Sequence, residues 1–154
     1  MYFEWLITKT GMLIGFFLLF GVMYATYDTY DEYSAQREAE AAVMSISNQI
    51  AFVSTSAPEY SVEKRIVLPE YIHGEPYIFT LDNESYNVKI TLLGRFSGED
   101  VSEFAMLPEF PIIREGLFNK QGEISVGSTH TGMNVSSAIL VSKNDTTTII
   151  SAVK

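Results

Sequence analysis

The first 27 residues are apolar on every side of a helix rather than on alternating faces. From Gly11 to Tyr27 the chain carries seventeen uncharged residues, and extending the run back to Trp5 gives 23 residues with one charge, Lys9. At about 1.5 Å per residue such a helix spans roughly 35 Å, enough to cross a hydrocarbon core of about 30 Å. Aromatic residues cluster at both ends of the run, as in interfacial belts. Residues 1–27 are therefore predicted to form a membrane-spanning helix that is retained as an anchor.

The charges that flank this segment predict its orientation. The N-terminal side carries the α-amine and Lys9, whereas the C-terminal side carries Asp28, Asp31 and Glu32 before its first basic residue, Arg37. Because cytoplasmic flanks of membrane helices are enriched in Lys and Arg, the N-terminus is expected in the cytoplasm. The sequence thus predicts a single-pass protein of the cell membrane with its C-terminal part extracytoplasmic.

Beyond the membrane segment the helical period continues over residues 28–57. No Pro or Gly occurs between Val22 and Ala57, and the stretch Ala35–Val43 is rich in strong helix formers. Apolar residues then recur on one face, which predicts a buried stripe. The stripe consists of Val43, Ile46, Ile50 and Val53. Two interpretations remain open and are compatible: the stripe docks onto the chain's own downstream domain, or it packs against the same helix of neighbouring subunits.

After Pro58 the period changes to two, which predicts β-strands. The predicted strands are Val62–Leu68, Tyr77–Leu81, Tyr86–Leu93, Glu123–Gly127, Asn134–Ser142 and Thr146–Val153. Residues 98–111, which contain Pro108 and Pro111, are predicted to form an irregular loop. The fold class is therefore α+β, with residues 58–154 forming a small antiparallel β-sandwich or open β-barrel after the long helix.

Composition narrows the possible chemistry. Ten basic residues stand against 19 acidic ones, a net charge of -9, which argues against a nucleic-acid partner. There is no Cys, so disulfides, thiolate metal sites and Cys nucleophiles are excluded. The two His residues, His73 and His130, are far apart and each lies in a predicted loop. No phosphate-binding loop, nucleophile elbow or paired-carboxylate motif is found. We therefore expect no enzyme activity, cofactor or bound metal.

Three Asn-x-Ser/Thr sequons follow the membrane segment, at Asn83, Asn134 and Asn144. Such sequons are glycosylated only on an extracytoplasmic surface, so they agree with the predicted topology and are candidate glycosylation sites. Two acidic turns, Asp82-Asn83-Glu84 and Glu99-Asp100, contain oxygen ligands that suit Ca²⁺ but lack the spacing of a known calcium loop. We interpret both as solvated turns.

The N-terminal segment Phe3-Glu4-Trp5-Leu6-Ile7 and the apolar run after it resemble the start of archaeal type IV pilin-like proteins. The segment Ile66–Leu93, with its Leu-Pro, Gly turn and Tyr-x-Ile strand, is also similar to the first strands of such secreted domains. The resemblance implies that Glu4 neutralises a neighbouring subunit's N-terminal amine within a filament core. Lys9 would then have to snorkel or pair with Glu4 of another chain.

The resemblance implies a structural subunit, major or minor, of a type IV pilus-like surface filament. Its partners would be copies of itself or related subunits, joined through the N-terminal helix. The alternative is a non-polymerising membrane anchor whose β-domain binds an envelope or surface-layer protein. The charges in the first 35 residues favour the anchor or a minor subunit, whereas the apolar stripe and the helix length favour the filament; these charges are Lys9, Asp28, Asp31 and Glu32.

Overall fold

The computed structural model describes residues 2–56, 62–93, 102–128 and 132–154. His130 and the Glu99-Asp100 turn lie outside the described residues. One helix, α1, spans Tyr2–Ser54. The chain divides into two compact units, Met1–Ser34 and Ala35–Lys154, so the division falls within the segment predicted as a stalk.

Helix α1 ends in three residues whose hydroxyl groups form hydrogen bonds with carbonyl groups of its last turn. The hydroxyl groups of Ser54, Thr55 and Ser56 each donate to the carbonyl four residues earlier. The Lys143 ammonium donates a hydrogen bond to the Ser56 carbonyl, so a cation lies at the negative end of the helix. The run Ser-Thr-Ser followed by Pro58 accounts for a helix end close to the predicted one.

The second unit contains two four-stranded sheets among its described residues. Its eight strands are β1 Glu63–Val67, β2 Tyr77–Asp82, β3 Asn87–Leu92, β4 Ser102–Met106, β5 Ile112–Gly116, β6 Glu123–Val126, β7 Ala138–Lys143 and β8 Thr148–Val153. One sheet has the order β1-β7-β8-β5 and the other the order β4-β3-β2-β6. Strands β2 and β3 form the predicted hairpin, with Phe79 opposite Ile90.

The strand predictions need three corrections. Residues 102–106, predicted as part of a loop, form β4, which pairs antiparallel with β3. Strand β5 was not predicted at all, and it pairs parallel with β8, so the unit is not purely antiparallel. The strand predicted to begin at Asn134 begins at Ala138. Both missed strands are short and lack clear alternation of apolar and polar residues, so tertiary pairing rather than local pattern specifies them.

One hydrophobic core joins the two sheets to the second half of α1. Strand β2 shows strict alternation, with Tyr77, Phe79 and Leu81 buried. The Tyr77 hydroxyl donates to the Pro69 carbonyl at 2.8 Å, and burial raises the pKa of its phenol. The predicted α+β class is confirmed, and this core lies within the second unit.

Candidate assembly and membrane surface

The first half of α1 has no buried residue. All described residues from 2 to 30 are exposed, and the helix has the length and apolar composition needed to cross a membrane. Large apolar side chains point in every direction; Leu18, for example, is 66% exposed. Because a helix that is apolar all round is not stable in water, this half requires either lipid or other apolar helices around it.

Three Thr hydroxyl groups within this half donate to its own backbone. Thr8, Thr26 and Thr29 donate to the carbonyl oxygens of Glu4, Val22 and Ala25 at 2.7 to 2.9 Å. Bonds of this kind allow Thr to sit in an apolar environment without an unpaired donor. The arrangement suits a helix surrounded by hydrocarbon.

Lys9 contacts an aromatic ring of its own helix. Its ammonium lies 5.9 Å from the centre of the Trp5 ring, one turn towards the N-terminus. Helical side chains lean towards the N-terminus, so this contact directs the charge to the end of the apolar run. Glu4 is exposed on the same turn as Trp5. The sequence contained the signal for this contact, since residues four apart share a helix face.

Two shallow apolar grooves run along the exposed half of α1. One is lined by Phe3, Leu6, Ile7, Thr10, Gly11 and Ile14, and the other by Val22, Ala25, Thr26, Thr29, Tyr30 and Tyr33. Each lining includes small residues, Gly11 in the first and Ala25 in the second, beside larger apolar or aromatic side chains. Small residues allow close approach of a second helix, which is how helices associate in membranes. The sequence analysis did not identify these grooves, although the spacing of Ala25 and Thr29 by four residues indicates one.

The stripe proposed for assembly lies inside the chain's own core. Val43, Ile50 and Val53 are 0% exposed and Ile46 is 3% exposed. Ser47 of the same face donates to the Met106 carbonyl of β4 at 3.2 Å. The stripe therefore packs on the chain's own β-strands, as the first interpretation predicts. These four side chains have no exposed surface left for a neighbouring subunit.

His73 has a contact that the sequence did not reveal. The Glu38 carboxylate of α1 accepts a bond from the His73 backbone at 2.9 Å and lies 3.2 Å from its Nδ1 atom. His73 has a positive φ of 53°, and Gly74 follows with 76°. The carboxylate thus ties the strained β1–β2 connection to the helix, a structural arrangement. Among the described residues, no group of three or more His, Asp or Glu side chains could hold a metal ion.

The acidic turn between β2 and β3 is organised by its own side chains. Asp82 accepts bonds from the backbone amides of Glu84 and Ser85 at 2.8 and 3.3 Å, and the Ser85 hydroxyl donates to its second oxygen. The bonds from Ser85 and Glu84 hold the pKa of the Asp82 carboxyl below its usual value. The carboxylate is used to close the turn, which is the ordinary role of Asp at such positions.

The three sequons occupy different settings. Asn83 is half-buried in the β2–β3 turn, whereas Asn134 and Asn144 are exposed. Asn134 donates to the Leu117 carbonyl at 2.9 Å. Asn144 follows β7 directly, at the start of the β7–β8 turn.

Three comparisons, with protein-family models, with curated proteins and with solved structures, find no significant match to this chain.

Proposed function

We propose that this chain is a structural subunit, major or minor, of a type IV pilus-like cell-surface filament. Residues 1–27 would cross the membrane once before assembly, with the N-terminus cytoplasmic and the β-rich unit outside. The observation that carries the proposal is the exposed half of α1, where 29 described residues, 2 to 30, are uncovered. A helix of this kind can pass from lipid into a bundle of equivalent helices because both surroundings are apolar.

The two grooves support helix bundling in addition to membrane insertion. A helix that contacted only lipid would not require concave surfaces lined by small residues. The grooves at Gly11 and at Ala25 are suited to receive side chains of a neighbouring copy, and the hydroxyl groups of Thr26 and Thr29 in the second groove already donate to backbone carbonyls. Filament assembly through the N-terminal helix would therefore account for these two grooves, which membrane crossing alone does not explain.

The second unit supports a role as a self-contained outer domain. Its two sheets contribute to one core with α1, which favours a β-sandwich closed along one side by the helix. The helix residues from Ala35 onward are fixed in that core, so α1 would be the element that connects filament and surface domain.

One observation favours a second function. Lys9 is stacked on Trp5 of its own helix, so its charge has a partner that does not require another subunit. A Trp-Lys pair at the cytoplasmic end is typical of an interfacial anchor. The second candidate is therefore a non-polymerising anchor, whose β-domain would bind an envelope or surface-layer protein.

Charge substitutions at Glu4 and Lys9 distinguish the two functions. In a filament core Glu4→Ala and Lys9→Ala should each abolish polymers, and the double exchange Glu4→Lys with Lys9→Glu should partly restore them, because a buried charge needs an opposite partner. The measurement is electron microscopy of filaments sheared from cells that produce each variant, with the amount of membrane-bound chain determined in parallel.

Trp5→Phe provides a matched control, since it weakens the stack on Lys9 without changing charge. It should leave polymers intact if Glu4 of a neighbour is the partner of Lys9. If all variants insert and behave like the parent chain, and no polymer is seen for any, the filament function is refuted and the anchor function stands.

A further inference from the structure

The three sequons differ in whether the folded domain leaves both of their recognised side chains accessible. The Asn-x-Ser/Thr pattern means that a glycosyltransferase must engage the Asn amide and, two residues later, a hydroxyl group. A sequon is therefore usable on the folded chain only where both side chains can leave their present contacts at low cost. This condition can be examined at each site.

The sequon at Asn134 is closed, meaning that its hydroxyl-bearing residue is not accessible in the folded domain. Ser136 is 2% exposed, and its hydroxyl lies 2.9 Å from the Ala138 carbonyl and 2.5 Å from that of Val153. Its backbone amide donates to Ser125 of β6, which in turn donates to the Asn134 carbonyl. Releasing this hydroxyl means separating the segment from β6 and leaving buried carbonyls unpaired, so the folded state opposes it.

The sequon at Asn83 is partly closed. The hydroxyl of Ser85 donates to Asp82 and accepts a bond from the Asn87 amide at 2.7 Å. Asn83 itself is half-buried. Although Ser85 is exposed, both hydrogen-bonding functions of its hydroxyl are in use, and they hold the β2–β3 turn together.

The sequon at Asn144 is open. Asn144, Asp145 and Thr146 are all exposed. No described residue accepts a hydrogen bond from the side-chain nitrogen Nδ2 of Asn144, and none bonds to the Thr146 hydroxyl. The side-chain oxygen Oδ1 of Asn144 accepts one bond, from the Asp145 backbone amide at 3.2 Å. Two backbone bonds between Asn144 and Thr147, at 2.9 and 3.3 Å, close the loop.

We infer that Asn144 is the N-glycosylation site of the folded domain and that Asn134 is excluded by its own fold. The inference rests on the proposed function in one respect, the extracytoplasmic location of the β-domain. In the transfer, Nδ2 of Asn144 forms a bond to C1 of a lipid-linked oligosaccharide. The bond between C1 and the lipid phosphate breaks, the phosphate leaves with the electron pair, and one amide proton passes to a base of the transferase. No oxidant or reductant is required.

The test uses the full chain in detergent with a solubilised oligosaccharyltransferase and a lipid-linked oligosaccharide. Glycopeptide mass spectrometry should find a single glycan on Asn144, with occupancy of Asn134 lower by about tenfold or more because its hydrogen bonds must break first. Three synthetic peptides that carry the sequons serve as the unfolded control and should all be modified. Thr146→Ala should remove the glycan, and Thr146→Ser should retain it.

Two results would overturn the inference: a folded chain modified at Asn134 as readily as at Asn144, or a folded chain left unmodified at Asn144 while its peptide is modified. Asn144→Gln should not change the urea midpoint, which confirms that loss of the glycan is not loss of the fold. The purified reaction does not depend on membrane orientation. Absence of the glycan in the purified reaction would therefore contradict the assignment of Asn144 alone. A glycan found in the purified reaction but not in cells would refute the extracytoplasmic location.

Discussion

The two halves of α1 belong to one helix but meet different surroundings. From Ala35 onward, eight residues are buried and the face opposite them is exposed, as in any helix that packs on a protein core. Before Ser34, apolar side chains are exposed on every face. The helical backbone is the same in both, so the difference lies entirely in how apolar side chains are distributed around the axis.

This contrast separates two kinds of stabilisation. The second half gains free energy by covering one stripe with β-sheet residues of the same chain. The first half finds no such cover among the described residues, and its stability as a helix depends on an apolar medium or on other helices. The same substitution in the two halves should therefore have different effects.

The largest effect is expected for a charge in the buried stripe. Ile50→Asp should lower the free energy of unfolding by about 3–5 kcal/mol, because an unpaired carboxylate in the core has no compensating partner. Tyrosine near-ultraviolet circular dichroism during urea unfolding in detergent measures this loss. Phe52→Asp, two residues away and 65% exposed, is the control and should change stability by less than about 1 kcal/mol. Similar values for the two would mean that the stripe is assigned to the wrong face.

The corresponding charge in the exposed half should act on insertion only. Leu18→Asp places a carboxylate near the middle of the apolar run and should disfavour membrane insertion by about 2.5–3.5 kcal/mol. The fraction of chain that resists alkaline extraction from membranes should fall, while the urea midpoint of the β-domain in detergent stays unchanged. A reduced urea midpoint would show that the two halves are not independent.

Glycine substitutions extend the comparison to the backbone. Gly122 has a φ of 82°, and a Cβ there would lie 2.3 Å from the Leu81 carbonyl and 2.0 Å from the Arg114 guanidinium. Gly122→Ala should cost about 1–3 kcal/mol in the same urea titration. Gly15→Ala, in the exposed half with no atom within 4 Å, should leave that titration unchanged. Gly132→Ala shares the positive φ, and no atom of the described residues contacts its Cβ position, so it measures the cost of the backbone conformation alone. The steric part is the difference between Gly122→Ala and Gly132→Ala.

The smallest effect concerns pH and should appear only in the second unit. The folded pKa of Asp82 is lowered, first by the Ser85 hydroxyl and then by the Glu84 amide, so the charged carboxylate stabilises the fold above the ordinary pKa near 4. That contribution is lost as pH falls through the folded value. Asp82→Asn should cost about 0.5–1 kcal/mol at pH 7.

The control for this prediction is Glu84→Gln, which removes an exposed carboxylate of the same turn. Urea midpoints of the parent chain and Asp82→Asn should converge at pH values below the folded pKa, whereas Glu84→Gln should follow the parent at every pH. A difference that persists in acid would mean that Asp82 acts through its shape and not through its charge.

Strong periodicity predicted most of the fold. The stripe from Val43 to Val53 and the alternation in β2 and β3 each reflect burial on one face, and both are found as predicted. The apolar run is found as the exposed first half of one long helix. Strand β5 was missed because its sequence, IIREG, has no alternation, and its place beside β8 depends on residues more than 30 positions away. Pairing of that kind leaves no local signal.

The candidate surface was predicted less completely than the fold. Periodicity marked residues 43–53 as buried but did not identify the partner, and the structure supplies it as the chain's own core. The stack of Lys9 on Trp5 follows a known spacing, whereas the closure of the Asn134 sequon depends on Ser125 and Val153, which are remote in sequence. Sequence motifs thus identified candidate sites, and the fold decided their accessibility.

The order of strands in the first sheet has a consequence for biosynthesis. Strand β1 pairs with β7, and β8 lies between β7 and β5, so this sheet can close only after β8 has been synthesised. Helix α1 is synthesised first, so the stripe that ends at Val53 is uncovered until the strands that pack on it have been made. The strands of the sheet β4-β3-β2-β6 all precede β7 and β8 in the chain, although β5 of the other sheet lies between β4 and β6, so this sheet is available earlier. A nascent chain thus passes through a period in which α1 is complete while the core that covers its second half is still open, the stage at which exposed apolar surface favours aggregation.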